Sequence, residues 1–442
     1  MNRELFPNGT SNHSMIVLGS LDEHFNGVPE ISAVNGSSHQ TRGNYDLVLV
    51  GNGDLYRTVA GLSRVPGLFA SRTLIVLEER HRQGRRDGEH SGLLLLDSMH
   101  GRDEEVSREL RRVEGIYGVY KTVGIYGIAA LVSFDDEQTF RARVNKVKGI
   151  RSATLVETDV PVNPIEVVTE PQLISARHYN TRNKYETGYV NREDVNRSYA
   201  EGCVKMARSF VGLQEMLGYA SVIWAPLRGA KPIVDAMLEA YRRLQEEGYD
   251  CFVPNVQFPV TSSFVFYPET HPYLTRKGRR PASGRASHVL ELRRALEKNP
   301  EDLGNVLYAD EIISGGMVLG HVREMVEAGK SRKGILQERI ISGATRLSVF
   351  GLVDENGRRF RSEKKAKLLG LQGQRRLRFS EFGVDRLVTE DNRFLLGNHY
   401  LLNQLGPHVV PFVDKNRAYS PEHALFWAEV VNQIERALVL SN

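Results

Sequence analysis

The chain has 442 residues, of which 41% are hydrophobic and 25% are charged, and its formal net charge is +4. This composition excludes a collagen-like or largely disordered chain and is typical of a globular protein with two or three domains. No apolar run is long enough to span a membrane, and the N-terminus lacks the basic start and apolar core of a signal peptide. Because only two cysteines are present, we expect a cytoplasmic protein without a disulfide framework or a cysteine-based zinc site.

Residues 1–91 are predicted to combine an irregular tail with a βαβ segment. Residues 1–44 are rich in Asn, Ser, Gly and His, which predicts mostly irregular structure. Residues 45–77 predict a strand, a glycine turn, a helix and a second strand. The turn GNGDLY at 51–56 lacks the third glycine of the dinucleotide-binding fingerprint, so a packing unit is favoured over a nucleotide site. The polar residues 81–91 then predict a linker.

Residues 92–159 predict a ferredoxin-like α+β domain with the element order βαββαβ. Apolar runs alternate with amphipathic helical patterns, and a glycine turn separates the two central strands. The predicted strands are 93–96, 119–123, 128–134 and 152–156, and the predicted helices are 104–113 and 137–147.

The same segment resembles the effector-binding domain of the leucine-responsive, feast-famine regulators. The shared features are two glycines that precede strands and the closing sequence KGIRSATLVE at 148–157. The resemblance implies the ferredoxin-like fold and a homo-oligomer that forms through the sheet, with a small effector molecule as one option. The DNA-binding helix-turn-helix of that family has no counterpart in this chain.

Residues 160–194 begin with prolines and become polar, which predicts a linker between domains. An amphipathic pattern at about 195–217 then predicts a long helix. We assign residues 195–442 to the second main domain.

The segment SVIWAPLRGA at 221–230 predicts a short strand followed by a turn and a helix. Pro232 fits the first turn of that helix. The guanidinium of Arg228 can pair with diphosphate oxygens in a forked geometry. Gly229 permits a backbone conformation that directs an amide toward a ligand. These residue types favour an anion site, and an ordinary surface loop is the alternative.

Residues 256–268 are rich in Phe, Val and Thr, which predicts a strand and a hairpin. The following basic loop, HPYLTRKGRRPASGR at 271–285, contains Gly and Pro and has no periodicity, so it is predicted to be mobile. Arg276 and Lys277 would supply positive charge to an anionic ligand. A solvated basic loop is the alternative.

The segment NVLYADEIISGGMVL at 305–319 carries the strongest functional signal of the chain. Its apolar start predicts a buried strand, and Asp310 and Glu311 follow at the predicted strand end. A turn with Gly315 and Gly316 then leads into a helix. Ligands of open α/β sheets bind beyond the carboxyl ends of the strands, and a glycine turn that enters a helix offers amides to a phosphate. Paired acids beside a phosphate site suit a sugar phosphate.

This pattern of apolar residues, two acids and a turn of small residues resembles the ribose-phosphate loop of type I phosphoribosyltransferases. In that family a diphosphate-binding loop, often with Arg followed by Gly, comes earlier in the chain, and a flexible loop lies between the two. The resemblance covers about residues 195–355 and implies a parallel sheet flanked by helices. It also implies binding of 5-phosphoribosyl 1-diphosphate with Mg²⁺ and transfer of the phosphoribosyl group to an unidentified base or amine.

The resemblance assigns a role to each candidate residue. Asp310 and Glu311 would be catalytic and would hold the ribose hydroxyls directly or through Mg²⁺. The residues that would bind the ribose phosphate are Ile313, Ser314, Gly315, Gly316, Met317 and Val318. The residues that would bind the diphosphate are Leu227, Arg228, Gly229 and Ala230, together with Arg276 and Lys277 of the basic loop.

A regulator that binds the ribose diphosphate without turning it over is the first alternative. The family usually has Thr at one or two turn positions, where this chain has Gly315 and Val318. Some relatives have an acid at the position of Ser314, and a serine cannot replace that base. These differences are compatible with a sensor, which remains the alternative to the enzyme.

A nucleic-acid-binding protein is the second, less favoured alternative. Residues 358–378 form a strongly basic run, and clustered cations of this kind neutralise a phosphate backbone. Few aromatic residues accompany the run, so base stacking is not indicated.

Overall fold

The computed structural model describes residues 12–21, 35–42, 45–54, 58, 61–62, 65, 68–84, 88–167, 193–226, 230–246, 252–259, 303–312, 315–326, 335–355, 362–374, 377–385, 387, 408–409 and 421–440. These residues form two β-sheets with helices packed against them, so the fold is of the mixed α/β class. Sheet A is antiparallel apart from one short strand, and sheet B is parallel. Sheet B confirms the prediction of a parallel sheet flanked by helices.

Sheet A draws nearly all its strands from residues 12–158. In the described part of the chain its strands are β1 (Asn12–Leu21), β2 (Asn35–Arg42), β3 (Leu47–Asp54), β4 (Leu68–Arg82), β5 (His90–Ser98), β6 (Ile116–Val123), β7 (Ile128–Phe134), β8 (Ile150–Thr158) and β14 (His408–Val409). Their order is β1-β3-β2-β8-β5-β7-β6-β4-β14, and β1 also pairs with β4. This additional pairing closes all the strands except β14 into a ring, which protects their edges from pairing with other chains.

Residues 1–44, for which the composition predicts mostly irregular structure, contain the strands β1 and β2. β1 contains the buried apolar run Met15 to Leu18 and pairs with both β3 and β4. β2 has the polar sequence NGSSHQTR, which does not alternate, and it pairs with β3 and β8. Strand formation in β2 therefore depends on its partners rather than on its own sequence.

The predicted element order βαββαβ is confirmed for residues 90–158, where α1 (Asp103–Leu110) and α2 (Glu137–Asn145) connect the strands β5 to β8. These helices cover one face of the four strands, and the other face lies inside the ring. The two edges of this βαββαβ unit already pair with β2 and β4 of the same chain. A homo-oligomer, which stays a prediction, would therefore need a surface other than these edges.

Sheet B has a doubly wound strand order. As far as the described residues extend, its strands are β9 (Val222–Trp224), β10 (Val256–Gln257), β11 (Asn305–Ile312), β12 (Arg346–Asp354) and β13 (Arg378–Val384). Every neighbouring pair is parallel, and the order is β10-β9-β11-β12-β13. Counted along the chain, this is the order 2-1-3-4-5 that flavodoxin-like sheets share.

Helices cover both faces of sheet B. One face packs against α3 (Glu193–Leu217) and α4 (Ala230–Glu246), and α8 (Pro421–Val439) packs on these two helices. The other face packs against α5 (Gly316–Val326), α6 (Ile335–Ser342) and α7 (Ser362–Gly373). Burial on both faces explains the nearly continuous apolar sequences of β9, β11 and β12. Since α4 follows β9 and α5 follows β11, both helices begin near the carboxyl edge of the sheet.

Two glycines of α3 distinguish its packed face from its open face. A Cβ atom at Gly202 would lie 2.5 Å from Val384 Cγ1 and 2.9 Å from Leu352 Cδ1, whereas one at Gly212 would meet no described atom within 4 Å. We expect Gly202→Ala to push α3 away from sheet B and to lower the free energy of unfolding by about 1–3 kcal/mol. Gly212→Ala should raise it by roughly 0.5–1 kcal/mol, because alanine favours a helix. Urea unfolding measures both changes, and equal losses in the two variants would contradict this packing.

Candidate functional site

The turns after β9 and β11 leave the same edge of sheet B, and β11 extends four residues further than the end of β9. The two strands are neighbours, with Trp224 opposite Tyr308, and the strand order reverses between them. α4, which follows β9, lies on one face of the sheet, and α5, which follows β11, lies on the other. A switch point of this kind opens the crevice in which ligands bind in doubly wound proteins.

Asp310 and Glu311 lie inside β11 rather than after its end. The apolar pattern predicts a strand that ends at Ala309, but β11 continues through Ile312 because its backbone remains paired with β12. Successive side chains of a strand point to opposite faces, so the two carboxylates lie on opposite faces of sheet B. Both side chains are buried, and the two residues are 5% and 9% exposed.

Asp310 belongs to a buried hydrogen-bonded chain on the face that carries α5. Its Oδ1 accepts from the backbone N–H of Glu311 at 2.8 Å, and its Oδ2 accepts from the Tyr308 hydroxyl at 3.1 Å. The same hydroxyl lies 2.6 Å from Nδ1 of His321 in α5. Burial raises the pKa of Asp310 to about 7, although both of its hydrogen bonds favour the ionised form.

The direction of the hydrogen bonds in this chain depends on the charge of Asp310. When Asp310 is ionised, the Tyr308 hydroxyl donates to it, and Nδ1 of His321 can donate to that hydroxyl. When Asp310 is protonated, its hydroxyl can donate to Tyr308, which then donates to His321. Burial also raises the pKa of Tyr308 well above its ordinary value, so the phenol stays neutral. Asp310 can therefore change charge near neutral pH without leaving these polar groups unpaired.

Glu311 lies on the other face of the sheet, toward α3. Burial raises the pKa of Tyr199 in α3 well above its ordinary value, and electrostatic coupling to Cys203 and Glu311 adds to this effect. Glu311 thus belongs to a different helix layer from Asp310. A ligand that contacts both carboxylates would have to lie across the end of β11.

The turn after β11 places backbone amides at the start of α5. Of the predicted phosphate-binding residues, Ile313 and Ser314 lie outside the described residues, and Gly316, Met317 and Val318 form the first turn of α5. Gly315 has a φ of +73°, in the left-handed region that favours glycine. Its carbonyl accepts from the N–H of Leu319 at 3.0 Å. Helix N-termini leave amides unpaired and favour an anion.

The turn after β9 leads into α4. Leu227, Arg228 and Gly229 lie outside the described residues. Ala230 is buried, begins α4 and donates its N–H to the carbonyl of Pro226 at 3.2 Å. Lys231 follows, with its Nζ 3.2 Å from Oδ2 of Asp97 in β5. Lys231 was not predicted as a functional residue because its partner lies 134 residues away along the chain.

Sheet A borders the same edge of sheet B through the end of β10. Phe258 follows β10, and its carbonyl accepts from Nε and Nη2 of Arg72 in β4 at 3.1 and 2.9 Å. The predicted basic loop with Arg276 and Lys277 comes after this point and lies outside the described residues.

The two carboxylates do not fit a joint metal site. Because Asp310 and Glu311 lie on opposite faces of β11, they cannot chelate one Mg²⁺ ion, which requires near-octahedral oxygen geometry. Within the residues that the structure describes, no group of three or more His, Cys, Asp or Glu side chains could hold a metal ion. A Mg²⁺ ion at this edge would therefore have to be held by the oxygens of its ligand.

The basic run at 358–378 is partly neutralised within the chain. Its described residues include α7, in which Lys365 pairs with Glu381 and Lys367 pairs with Glu363. Paired lysines contribute less to binding a phosphate backbone. These residues therefore do not strengthen the nucleic-acid alternative.

Comparisons with known proteins assign no family to the chain. No family model matches the sequence, and a search of curated proteins finds no match. Among the described helices, none is both long and apolar enough to cross a membrane. A function for this chain must therefore be inferred from the fold and from the geometry of the site.

The raised pKa of Asp310 has a measurable effect on stability. Between its ordinary value of 3.8 and about 7, the folded protein holds a proton that the unfolded chain has released, so the free energy of unfolding falls as the pH rises through this window. Asp310→Asn removes the titration. We expect this variant to be more stable than the native protein at pH 8, by on the order of 2–4 kcal/mol.

Urea unfolding between pH 4 and pH 8 measures this difference. Asp136→Asn is the control, because a hydrogen bond from Thr139 lowers the pKa of Asp136, and this substitution should give no gain at pH 8. A less stable Asp310→Asn variant at pH 8 would show that the buried carboxylate favours folding.

Proposed function

We propose that this protein is a phosphoribosyltransferase that binds 5-phosphoribosyl 1-diphosphate with Mg²⁺ at the carboxyl edge of sheet B. It would transfer the phosphoribosyl group to a base or an amine. The observation that carries the proposal is the adjacency of β9 and β11 at the reversal of strand order. The two segments with the diphosphate and ribose-phosphate patterns follow these two strands, although about 80 residues separate the strands in the chain.

The two helix starts suit the two ends of this ligand. The first turn of α5, after Gly315, offers amides to the 5′-phosphate, and the segment between β9 and α4, with Arg228 and Gly229, would bind the diphosphate. The helices lie on opposite faces of the sheet, so their N-termini flank the crevice. A sugar with a phosphate at each end spans such a crevice.

Asp310 is suited to stabilise positive charge on the sugar. As the diphosphate leaves, positive charge develops at the ribose ring, and an ionised carboxylate nearby becomes more favourable. The buried position of Asp310 strengthens this interaction because little water screens it. Preorganised groups of this kind are worth about 2.7–4 kcal/mol each where single donors have been removed from other enzymes. Mg²⁺ would enter the site bound to the diphosphate oxygens, and it would reduce the negative charge of the leaving group.

A regulator that binds the same ligand without transfer is the second candidate. The burial of both carboxylates and their location on opposite faces of β11 favour it. Such a protein needs the two phosphate sites but not a reactive sugar cation. The βαββαβ unit would then be the part that responds.

Titration calorimetry with 5-phosphoribosyl 1-diphosphate and Mg²⁺ tests the binding claim. We expect the native protein to bind, and Asp310→Asn to weaken binding by about tenfold or more, because it removes a charged contact. Release of diphosphate in the presence of a panel of bases and amines identifies the enzyme, whereas binding without release identifies the regulator. Equal affinity in the two proteins would exclude Asp310 from the site.

Substitution of Gly315 tests the proposed 5′-phosphate site separately from the diphosphate site. Its positive φ means that Gly315→Ala strains the turn by about 1 kcal/mol and displaces the first amides of α5. We expect ribose 5-phosphate to bind about tenfold more weakly, since several amide contacts shift together. Gly320→Ala is the matched control in the same helix, because a Cβ there meets no described atom within 4 Å. Equal affinities in both variants would place the phosphate elsewhere.

A further inference from the structure

A phenol and an imidazole support Asp310 on one face of sheet B. Tyr308 precedes Asp310 by two residues in β11, so both side chains point to the face that carries α5. The Tyr308 hydroxyl lies 3.1 Å from Oδ2 of Asp310 and 2.6 Å from Nδ1 of His321. The two rings meet edge to face, with their centres 5.8 Å apart. Tyr308 is 0% exposed and His321 is 2% exposed, so neither side chain has surface to offer a ligand.

The hydrogen bonds of Asp310 fix the orientation of its carboxylate. Oδ1 accepts from the backbone N–H of Glu311 at 2.8 Å, and Oδ2 accepts from the Tyr308 hydroxyl. In the described part of the chain, no lysine or arginine pairs with Asp310. One donor on each oxygen therefore sets the plane of the group. Because each carboxylate oxygen can accept a second hydrogen bond, both oxygens keep a direction for a hydroxyl of a ligand.

Asp310 borders the crevice, whereas Tyr308 lies within the sheet. β9 ends at Trp224, which is opposite Tyr308. Asp310 therefore lies two residues beyond the end of β9, although its backbone remains paired with β12 on the other side. Tyr308 can act on a ligand in the crevice only through Asp310.

We infer that Tyr308 is a positioning residue for the ribose end of the ligand, that it acts through Asp310, and that His321 holds its hydroxyl. The inference rests on the proposed function, in which Asp310 lies against the ribose. The strength of a hydrogen bond falls steeply with its angle, so a carboxylate of fixed orientation recognises sugar hydroxyls better than one that rotates. His321 belongs to α5, so the same contacts tie this helix to the strand that carries the acid.

Titration calorimetry on the full chain tests the inference, with ribose 5-phosphate and pyrophosphate as the two probes. Tyr308→Phe keeps the ring and removes only the hydroxyl. We expect this variant to bind ribose 5-phosphate about fivefold more weakly, the effect of about one hydrogen bond. Pyrophosphate contains no sugar, so its affinity should stay within about twofold of the native value. A general distortion of the site would weaken both probes.

A double-mutant cycle separates the role of Tyr308 from that of the acid. In an Asp310→Asn background, Tyr308→Phe should change ribose 5-phosphate affinity by no more than about twofold, because the phenol acts only through the carboxylate. Tyr117→Phe is the matched control. Tyr117 is also buried, and its hydroxyl donates to the carbonyl of Val162 at 2.7 Å in the region of sheet A. This variant should bind both probes with native affinity.

If Tyr308→Phe does not fold, two variants of His321 repeat the test. His321→Asn can place an amide nitrogen near the position of Nδ1 and should bind ribose 5-phosphate within about twofold of the native value. His321→Leu removes the polar atom and should weaken binding about threefold. A leucine suits the apolar layer around α5 better than an asparagine does, so the loss of binding should not follow the loss of stability.

The outcomes distinguish the inference from the proposed function. Tyr308→Phe that binds ribose 5-phosphate with native affinity, while Asp310→Asn binds it weakly, would overturn the inference and leave the proposed function in place. Equal losses of both probes in Tyr308→Phe would also overturn the inference, because they would show a structural role only. A native protein that binds neither probe would overturn the proposed function and the inference together.

Discussion

Parallel pairing between β9 and β11 places two turns next to each other that are far apart in the sequence. Trp224, the last residue of β9, lies opposite Tyr308 at the spacing of neighbouring strands, about 4.8 Å, and β11 continues four residues further to Ile312. The following helices leave on opposite faces, so the segments that lead into them border one crevice. If β11 paired elsewhere, the acids and the two phosphate patterns would not share an edge.

The burial of the Asp310 carboxyl in the same strand destabilises the folded protein, and such destabilisation is common at functional sites. β11 holds Asp310 in the sheet, where burial raises the pKa of its carboxyl to about 7. Such a group destabilises the folded state at higher pH. Proteins retain destabilising polar groups most often where a ligand or a reaction uses them. Tyr308 and His321 limit the cost because they supply hydrogen bonds in either protonation state.

Local sequence patterns predicted the individual helices and strands better than they predicted how these elements pair and pack. Period and turn residues predicted the βαββαβ unit and the strand that carries Asp310, because these signals are local. The polar β2 was not predicted, since its strand conformation depends on β3 and β8. The opposite faces of Asp310 and Glu311 were missed because pairing with β12 extends β11 by three residues beyond its predicted end. Lys231 was missed because Asp97 is distant in the sequence.

The central claim is that one ligand spans both helix starts at the switch point. Displacement of labelled 5-phosphoribosyl 1-diphosphate by ribose 5-phosphate and by pyrophosphate tests it most directly. Each competitor carries one end of the ligand, so both should displace the label competitively, and each should bind in the presence of the other. Displacement by only one of them, or by neither, would contradict a single site that spans β9 and β11.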